Sequence, residues 1–369
     1  MSLPELTIGI EEEYQIIDPE TRELCSSAPE FMEEGRQVLQ DQIKPEFMQS
    51  QVEVGSQVCR NMKEARQEIV RLRRSICQLA VKKGLAVAAA STHPFSEWSE
   101  QQITVADRYA KHAENLRHVA RRLLIFGMHV HIGIDDKELM IDVMTQARYF
   151  LPHLLVLSTS SPFWQGRETG LKSYRSVVFE NMPRTGIPPE FGSWPEYERF
   201  VDTLVQTGSI EDPTQIWWDI RPHPVFPTLE FRQSDICTKV DEAMCVAALT
   251  LAIVARLIRL RQSNRSWRRY RHHLIDENKW RAVRWGLDGE LIDFGKRQAV
   301  PVRFLIGELL EFIEDVVDEL GVRQEIAYVQ TILDNGTSAD RQLATYRETG
   351  DMNAVVDQLI EETKEGVCD

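Results

Sequence analysis

Residues 9–14 place three adjacent acids between apolar side chains, in a pattern that predicts an unusual β-strand. Successive side chains of a strand point to opposite faces, so Glu11 and Glu13 share one face while Glu12 lies on the other. Taken alone, three adjacent acids are typical of a solvated edge, because burying carboxylates without cationic partners is very costly. On a buried strand, the same spacing would instead make Glu11 and Glu13 ligands for a cation.

The same alternation recurs in three later segments, each of which predicts a strand with one polar and one apolar face. Their polar positions are Gln49, Gln51 and Glu53, then His129 and His131, and finally Glu230 and Arg232. Residues between them, such as Val130 and Phe231, suit a packed hydrophobic layer. Four strands with matching polar faces favour a site for hard cations and phosphate over a chance cluster of acids.

Helical periodicity accounts for much of the remaining chain. Asn61 followed by Glu64 resembles a capping box and predicts a helix from residue 62 to Gly84. The other predicted elements are helices over residues 107–124, 137–157 and 238–262, a strand over 85–90, and a short helix capped by Ser193 and Glu196. The Gly- and Pro-rich stretch 160–194 predicts a long irregular segment, and such segments are usually functional.

Charge and cysteine content narrow the functional class. The 57 acidic residues exceed the 43 Lys and Arg residues, and the net charge of −14 argues against a general nucleic-acid binder. The six cysteines form no CxxC pair, so reduced thiols and a cytoplasmic location are expected. No secretory signal is visible, and the longest apolar stretch, residues 243–255, is too short to cross a bilayer.

Eight strings follow one another in order over about the first four-fifths of the chain and together resemble a known family. They are GIEEEY, EFMQSQVEVG, THPF, GMHVHIG, SPFWQGRETGLKSYR, WWDIRPH, TLEFRQSD and ENKWRAVRWGLDG. The chain thereby resembles the carboxylate–amine ligases of the type 2 glutamate–cysteine ligase group, within the glutamine synthetase-like superfamily. A more distant similarity to glutamine synthetase itself lies in G-x-E-x-E, GMH-x-H and E-x-R.

This resemblance implies an α+β fold whose curved, mainly antiparallel sheet carries the active site on its concave face and packs helices on the other. It implies one domain over residues 1–369, mainly helical from about residue 238, and leaves a homodimer open. The implied activity is ATP-dependent joining of an amino-acid carboxylate, with the glutamate γ-carboxylate as donor, to an amine, with cysteine as leading acceptor. ATP and Mg²⁺ or Mn²⁺ are the expected cofactors. Small molecules, rather than nucleic acid or membrane, are the expected partners.

The resemblance also assigns roles to the polar residues. Glu13, Glu46 and Glu53 are expected to hold one metal ion, and Glu11, His129 and Glu230 the other. The candidates for contacting the phosphoryl group or the substrate are Arg232, Arg175 and Arg167 as catalytic residues, with Arg221, His131 and Gln51 as binding residues. An acyl phosphate must be shielded from water, so the loop at 160–190 is expected to act as a lid.

Simpler roles are expected for three further side chains. Glu12 is predicted to be structural or to lie behind the ligands, and His93 to fix a loop. His131 stays open between a ligand, a substrate contact and a scaffold residue. Within the ligase hypothesis, Glu53→Ala and Glu230→Ala are both expected to abolish turnover and leave the fold intact.

Two other functions remain open on the sequence alone. A guanidino kinase of the phosphagen type shares the wider sheet architecture and would phosphorylate a guanidinium without forming an amide. A non-catalytic sensor would bind ATP and metal without turnover. The complete set of acids together with Arg232 argues against a sensor, because sensing has no need for charge stabilisation at a phosphoryl group.

Overall fold

The computed structural model describes residues 3–367, apart from the side chains of residues 107, 108 and 110–112. The strands are β1 Ile8–Ile17, β2 Ile43–Pro45, β3 Gln51–Gly55, β4 Ala86–Ala88, β5 Met128–Gly133, β6 Phe163–Trp164, β7 Arg167–Glu168, β8 Thr185–Gly186, β9 Trp217–Trp218, β10 Ile220–Pro222, β11 Thr228–Phe231, β12 Glu290–Asp293 and β13 Gln298–Pro301.

Helices fill the segments between these strands and most of the chain after them. They are α1 Ala28–Leu39, α2 Met62–Lys82, α3 Asp107–Leu116, α4 His118–Arg121, α5 Lys137–Ala147, α6 Leu151–Ser158, α7 Tyr174–Phe179, α8 Trp194–Gln206, α9 Val240–Gln262, α10 His272–Trp285, α11 Val302–Leu320, α12 Arg323–Asn335, α13 Ser338–Thr349 and α14 Met352–Lys364.

One seven-stranded sheet, in the order β10-β11-β5-β1-β3-β2 with β4 added beside β1, carries all four predicted polar strands. Its pairings are antiparallel, and β1 lies at the centre, where it pairs with β3, β4 and β5. The predicted fold class, an α+β protein built on an antiparallel sheet, is confirmed. The strand alternation is also confirmed, because cross-strand partners in this register always lie on the same face.

The apolar face of the sheet packs against α2 and α9. Glu12 is fully buried on this face, where the Arg73 guanidinium pairs with both of its carboxylate oxygens and the Tyr14 hydroxyl donates a hydrogen bond to it. Arg73 also donates to the carbonyl oxygens of Thr238 and Cys237, at 2.7 and 2.9 Å. Glu12 is therefore structural, as its place opposite Glu11 predicts.

The helix predictions hold where capping signals are strong. The Asn61 side chain accepts a hydrogen bond from the Glu64 backbone at 3.0 Å, and α2 begins directly after Asn61. The helix predicted over 107–124 is instead α3 and α4, because Arg117 between them has a φ of 48°. The helix predicted over 137–157 is divided into α5 and α6 by a tight turn just before Pro152, which lacks a backbone N–H.

The irregular segment after α6 is tied to the end of β11 by one buried carboxylate. Asp235 accepts hydrogen bonds from the Ser160 backbone, the Ser161 hydroxyl and the Ser173 hydroxyl at 2.7–2.9 Å. The hairpin tip at residues 166–168 is exposed. Near the tip, the Gly166 backbone donates a hydrogen bond to the Pro94 carbonyl oxygen at 3.0 Å, and Arg284 donates to the Gly170 carbonyl oxygen. The lid role of this segment stays a prediction.

α9 has the length and composition of a helix that could cross a membrane, unlike the shorter stretch 243–255 considered in the sequence. However, 89% of its apolar window is buried inside the structure, which is also typical of a core helix. The five cysteines within residues 3–367 are free thiols, and Cys368 lies outside the described residues. His93 accepts hydrogen bonds from the Phe95 and Ser96 backbones, so it fixes a loop as predicted.

Candidate active site

The register of the central strands brings the predicted acids and histidines together on the polar face. Glu13 lies opposite Glu53 across β1 and β3. Glu11 lies opposite His129 across β1 and β5, and Glu230 lies opposite His131 across β11 and β5. Glu11 and Glu230, 219 sequence positions apart, thus become neighbours through two strand pairings.

The first ligand group consists of Glu13, Glu46 and Glu53, whose nearest side-chain oxygens all lie within 4.8 Å of one another. Burial and the negative charge of Glu53 raise the pKa of Glu13 to about 7. Burial and the charges of Glu11 and Glu46 raise the pKa of Glu53 to about 8. A raised carboxyl pKa means that ionising the group is unfavourable in the metal-free protein. A divalent cation bound to these carboxylates would make their ionised form favourable.

The second ligand group consists of Glu11, His131 and Glu230, whose ligand atoms also lie within 4.8 Å of one another. The sequence assigned His129 rather than His131 to this group. His129 Nδ1 lies 3.3 Å from a Glu11 oxygen and 3.8 Å from a Glu230 oxygen, so both imidazoles adjoin the two acids. His131 Nε2 is buried and lies 3.5 Å from a Glu11 oxygen, so this nitrogen also faces the acids of the group.

The two acids of the second ligand group are held ionised by their neighbours. Burial acts to raise the pKa of Glu11, but its hydrogen bonds to His129 and His131 lower that pKa well below its usual value. Burial likewise opposes ionisation of Glu230, and the charges of Arg232 and Arg221 lower its pKa well below the usual value. The same environment, mainly burial, lowers the pKa of His129 to about 4.

Glu230 is clamped between two guanidinium groups. Arg221 Nε donates to one carboxylate oxygen at 2.7 Å, and Arg232 Nη1 donates to the other. Arg221 also donates to the carbonyl oxygens of Thr214 and Ile216. The structure therefore places Arg221 against Glu230, and its contact with phosphate or substrate stays a prediction. Arg232 Nε remains buried without a hydrogen-bond partner.

Arg175 is buried beside the first ligand group. Its Nη2 donates to the Arg232 carbonyl oxygen at 3.2 Å, while its Nε has no hydrogen-bond partner. Burial lowers the pKa of Arg175, and the charges of Asp235 and Glu13 oppose that shift. The unpartnered Nε–H groups of Arg175 and Arg232 are buried donors of the kind that an oxyanion satisfies.

Gly127 provides the space that Arg175 occupies. A Cβ atom at Gly127 would lie 2.5 Å from Arg175 Nη2 and 3.1 Å from its Cζ, so the guanidinium would have to move. We expect Gly127→Ala to lower kcat by up to about 100-fold, because displacing a catalytic group by an angstrom has effects of that order. Steady-state kinetics, read together with the melting temperature, measure this loss.

Gly307→Ala is the matched control for this change. A Cβ at Gly307, within α11, meets no atom within 4 Å, so the substitution should preserve kcat and slightly raise helix stability. Full activity in Gly127→Ala would contradict the position assigned to Arg175.

Two of the predicted site residues, Gln51 and Arg167, make contacts other than those that the sequence suggested. Gln51 is buried, its amide nitrogen donates to the Ile125 carbonyl at 2.6 Å, and its oxygen accepts from the Met48 backbone at 3.2 Å. Gln51 therefore braces the backbone around the first ligand group. Arg167 lies exposed on β7, and within residues 3–367 none of its contacts joins it to the clustered acids.

Sequence reasoning missed three residues that the structure places at or behind the site. Lys44 lies 3.2 Å from a Glu11 oxygen and 3.0 Å from a Glu53 oxygen. Arg73 neutralises Glu12 behind the central strand, and Asp235 holds the segment that carries Arg175. The strand of Lys44 has only three residues and shows no recognisable alternation, and the other two pairings depend on tertiary structure.

The donor set fits divalent cations that prefer oxygen. Five carboxylates and two imidazoles converge on one face, and the raised pKa values of Glu13 and Glu53 show that this charge lacks compensation. Mg²⁺ and Mn²⁺ bind carboxylates with occasional imidazole ligands, while thiol ligands, which would favour zinc, are absent from both groups. The residues present therefore suit the expected metal ions.

A cavity of about 840 Å³ opens beside the second ligand group. Glu11, Lys44 and His131 are among its lining residues, together with apolar side chains such as Leu6 and Ile134. Cavities of this size with apolar walls and a few convergent polar groups are typical of sites for drug-sized ligands. A nucleotide bound here would have its phosphates near the acids and its base against apolar residues.

The sequence matches a described family over nearly its whole length. The model of glutamate–cysteine ligase family 2 matches residues 7–358. A Herpetosiphon aurantiacus protein provisionally named glutamate–cysteine ligase 2 is 57% identical over 361 residues, covering 98% of this chain and 94% of its own. This similarity extends through every strand that carries a site residue.

Solved structures of low sequence identity share the fold. The chain is similar to a glutamate–cysteine ligase from Francisella tularensis in complex with AMP, with a TM-score of 0.71, 13% identity, and coverage of 100% of this chain and 90% of that one. It is also similar to a bifunctional glutathione synthetase from Pasteurella multocida, with a TM-score of 0.69, 14% identity, and coverage of 98% and 52%.

Proposed function

The chain belongs to glutamate–cysteine ligase family 2, and on that premise we propose that it joins the γ-carboxylate of glutamate to an amino group, with cysteine as the leading acceptor. It is an ATP-dependent carboxylate–amine ligase. Glutamate and cysteine are the substrates that the relatives' names carry, and we extend both to this chain. The observation that carries the proposal is the pair of ligand groups on one sheet face with Arg232 and Arg175 beside them.

The chemistry requires an activated carboxylate. A carboxylate is a poor electrophile at neutral pH, so the γ-phosphoryl group of ATP is transferred to a carboxylate oxygen to give an acyl phosphate and ADP. The acceptor amine then attacks the carbonyl carbon, forming the amide bond and expelling phosphate. Charge neutralisation and alignment supply most of the catalysis in such transfers.

Each part of the site has a role in this reaction. Glu13, Glu46 and Glu53 would hold one metal ion, and Glu11 and Glu230, with His131 or His129, would hold another. Bound Mg²⁺ or Mn²⁺ supplies positive charge that neutralises the nucleotide phosphates. Arg232 and Arg175 present unpartnered Nε–H donors to the oxygens of the transferred phosphoryl group or the donor carboxylate. Arg221 keeps Glu230 in place.

The nucleotide would occupy the 840 Å³ cavity, because Glu11 and His131 of the second ligand group line it. The substrate carboxylate would approach from the Arg175 side, so that the phosphoryl group passes between the two partners. Such an approach would put the attacking and leaving oxygens on opposite sides of the phosphoryl group, as in-line transfer requires.

The direct test is release of ADP by the purified protein with ATP and Mg²⁺, using glutamate together with each common amino acid and small amine, and mass spectrometry of the product. An amide product that depends on both partners supports the ligase and identifies the acceptor. ADP formation only with a guanidino compound would support the kinase, which the comparisons do not favour. Binding of ATP without turnover in any pairing would support a sensor.

A further inference from the structure

Lys44 lies between the two ligand groups. Its ammonium contacts Glu53 of the first group at 3.0 Å and Glu11 of the second at 3.2 Å. Lys44 is the Cα partner of Glu53 across β2 and β3, so the strand pairing directs its side chain onto the polar face. The side chain is half-exposed and lines the 840 Å³ cavity.

The other cationic side chains around the acids each have a different set of hydrogen-bond partners. Arg232 and Arg221 are bound to Glu230, and Arg175 donates to a backbone carbonyl. Among the ion pairs within residues 3–367, the two made by Lys44 link the first ligand group, through Glu53, to the second, through Glu11. Its flexible four-carbon stem can also move the charge without moving the backbone.

A divalent cation and this ammonium oppose each other. Both require the oxygens of Glu11 and Glu53, and two positive charges a few angstroms apart repel. Either the ammonium leaves when metal binds, or the metal binds more weakly while it stays. The cavity next to Lys44 provides the alternative position, because phosphates bound there would accept the ammonium's hydrogen bonds.

We propose that Lys44 is a built-in counter-ion that holds the carboxylates in the metal-free enzyme and moves to the nucleotide phosphates when metal and ATP bind. This inference rests on the proposed function, since it takes the acids as metal ligands and the cavity as the nucleotide site. Lys44 thereby couples the two ligands. Metal alone must displace the ammonium, whereas metal with nucleotide gives the ammonium a new partner, and such coupling is reciprocal.

The test is the half-saturating Mg²⁺ concentration, measured by thermal shift without nucleotide, in the wild type and in Lys44→Met. We expect Lys44→Met to melt at a lower temperature without metal and to bind Mg²⁺ about tenfold more tightly, an effect moderated by the exposure of the ammonium. The KM for ATP should rise while kcat changes less. Lys44→Gln gives the same comparison if the Met variant is not recovered.

Two variants serve as controls. Lys44→Arg keeps the positive charge and should retain wild-type Mg²⁺ affinity. Lys82→Met removes an ammonium that pairs with Glu34 on an exposed surface, so it should leave both Mg²⁺ affinity and KM unchanged.

The outcomes separate this inference from the proposed function. Equal or weaker Mg²⁺ binding by Lys44→Met, with normal binding by the wild type, overturns the role of Lys44 and leaves the metal sites in place. Absence of any Mg²⁺ effect on the wild type overturns the metal assignment itself, and the role of Lys44 with it. Tighter binding by Lys44→Met together with a raised KM for ATP supports the exchange.

Discussion

Replacing Glu230 by alanine is expected to destabilise the metal-free protein by about 3–5 kcal/mol, the cost of removing one partner from a buried ion pair. Glu230 has 1% of its side chain exposed, and Arg221 and Arg232 both bind it with little exposure of their own. Its loss leaves two adjacent buried guanidinium groups without their shared carboxylate. Turnover should be lost as well, because a metal ligand disappears and Arg232 loses its anchor.

Urea unfolding in EDTA, followed by circular dichroism, measures the stability loss. Glu277→Ala is a suitable control, because Glu277 pairs with Arg281 in an exposed i,i+4 position and should contribute little. Glu230→Gln, which preserves shape and one acceptor, should fall between the two. If Glu230→Ala were as stable as the wild type, the ion pairs of Glu230 with Arg221 and Arg232 would not contribute to stability. The sequence alone suggested an intact fold for this variant, and the double guanidinium clamp revises that expectation.

The polar face of the sheet was predictable because it depends on a local rule. A period of two places Glu11 with Glu13, and Glu230 with Arg232, in any strand that forms. Apolar residues between them identify the buried face, so the two sides of the sheet follow from four short segments. The central position of β1 agrees with this reasoning, since its acids need partners on both sides.

Contacts between distant segments were not predictable from such patterns. Arg73 reaches Glu12 from 61 positions away because α2 packs behind β1. The helical period places Arg73 on the buried face of α2, between Ile69 and Cys77, but it does not identify the partner of the guanidinium. Lys44 belongs to a strand of three residues, too short to produce a recognisable alternation. The partners of both residues became evident only from the packing of helices and edge strands.

Proximity in sequence did not show which cations and imidazoles of one motif lie together in space. Arg167 and Arg175 share one motif, yet β7 carries the first to an exposed hairpin while α7 buries the second beside Glu13. The strand register sets His129 opposite Glu11 and His131 opposite Glu230, and side-chain rotamers then decide which nitrogen approaches both acids. Alternation predicts which face of the sheet a side chain lies on, but not which residues on that face it contacts.

Replacing Glu53 by glutamine is expected to have the opposite effect on stability from Glu230→Ala. Turnover should be lost because a metal ligand is gone, yet the metal-free protein should become more stable by roughly 1–3 kcal/mol at pH 8. The raised pKa of Glu53 means that ionising this carboxyl in the folded protein is unfavourable. Loss of the screened contact to half-exposed Lys44 offsets part of the gain.

The sign of the stability difference between Glu53→Gln and the wild type follows from how folding stability depends on pH. In the unfolded chain Glu53 ionises near its usual pKa of 4.5, whereas in the folded protein it keeps its proton until about pH 8. The folded state therefore binds more protons between these values, and wild-type stability should fall as pH rises through that window. Below the window both states are protonated and the glutamine variant should gain nothing. Above pH 8 its advantage should be complete.

Melting temperatures of the wild type and Glu53→Gln, measured from pH 5 to pH 9 in EDTA and again with Mg²⁺, test the argument. In EDTA the two curves should diverge with rising pH, and Mg²⁺ should restore the wild type alone, because it replaces the proton as the counter-charge. Parallel curves would show that Glu53 carries no ionisation penalty. If Glu53→Gln is inactive but more stable, and Glu230→Ala is inactive and less stable, the two acids have different roles. Glu53 would then be a carboxylate that needs a metal ion as its counter-charge, and Glu230 one that arginine side chains already neutralise.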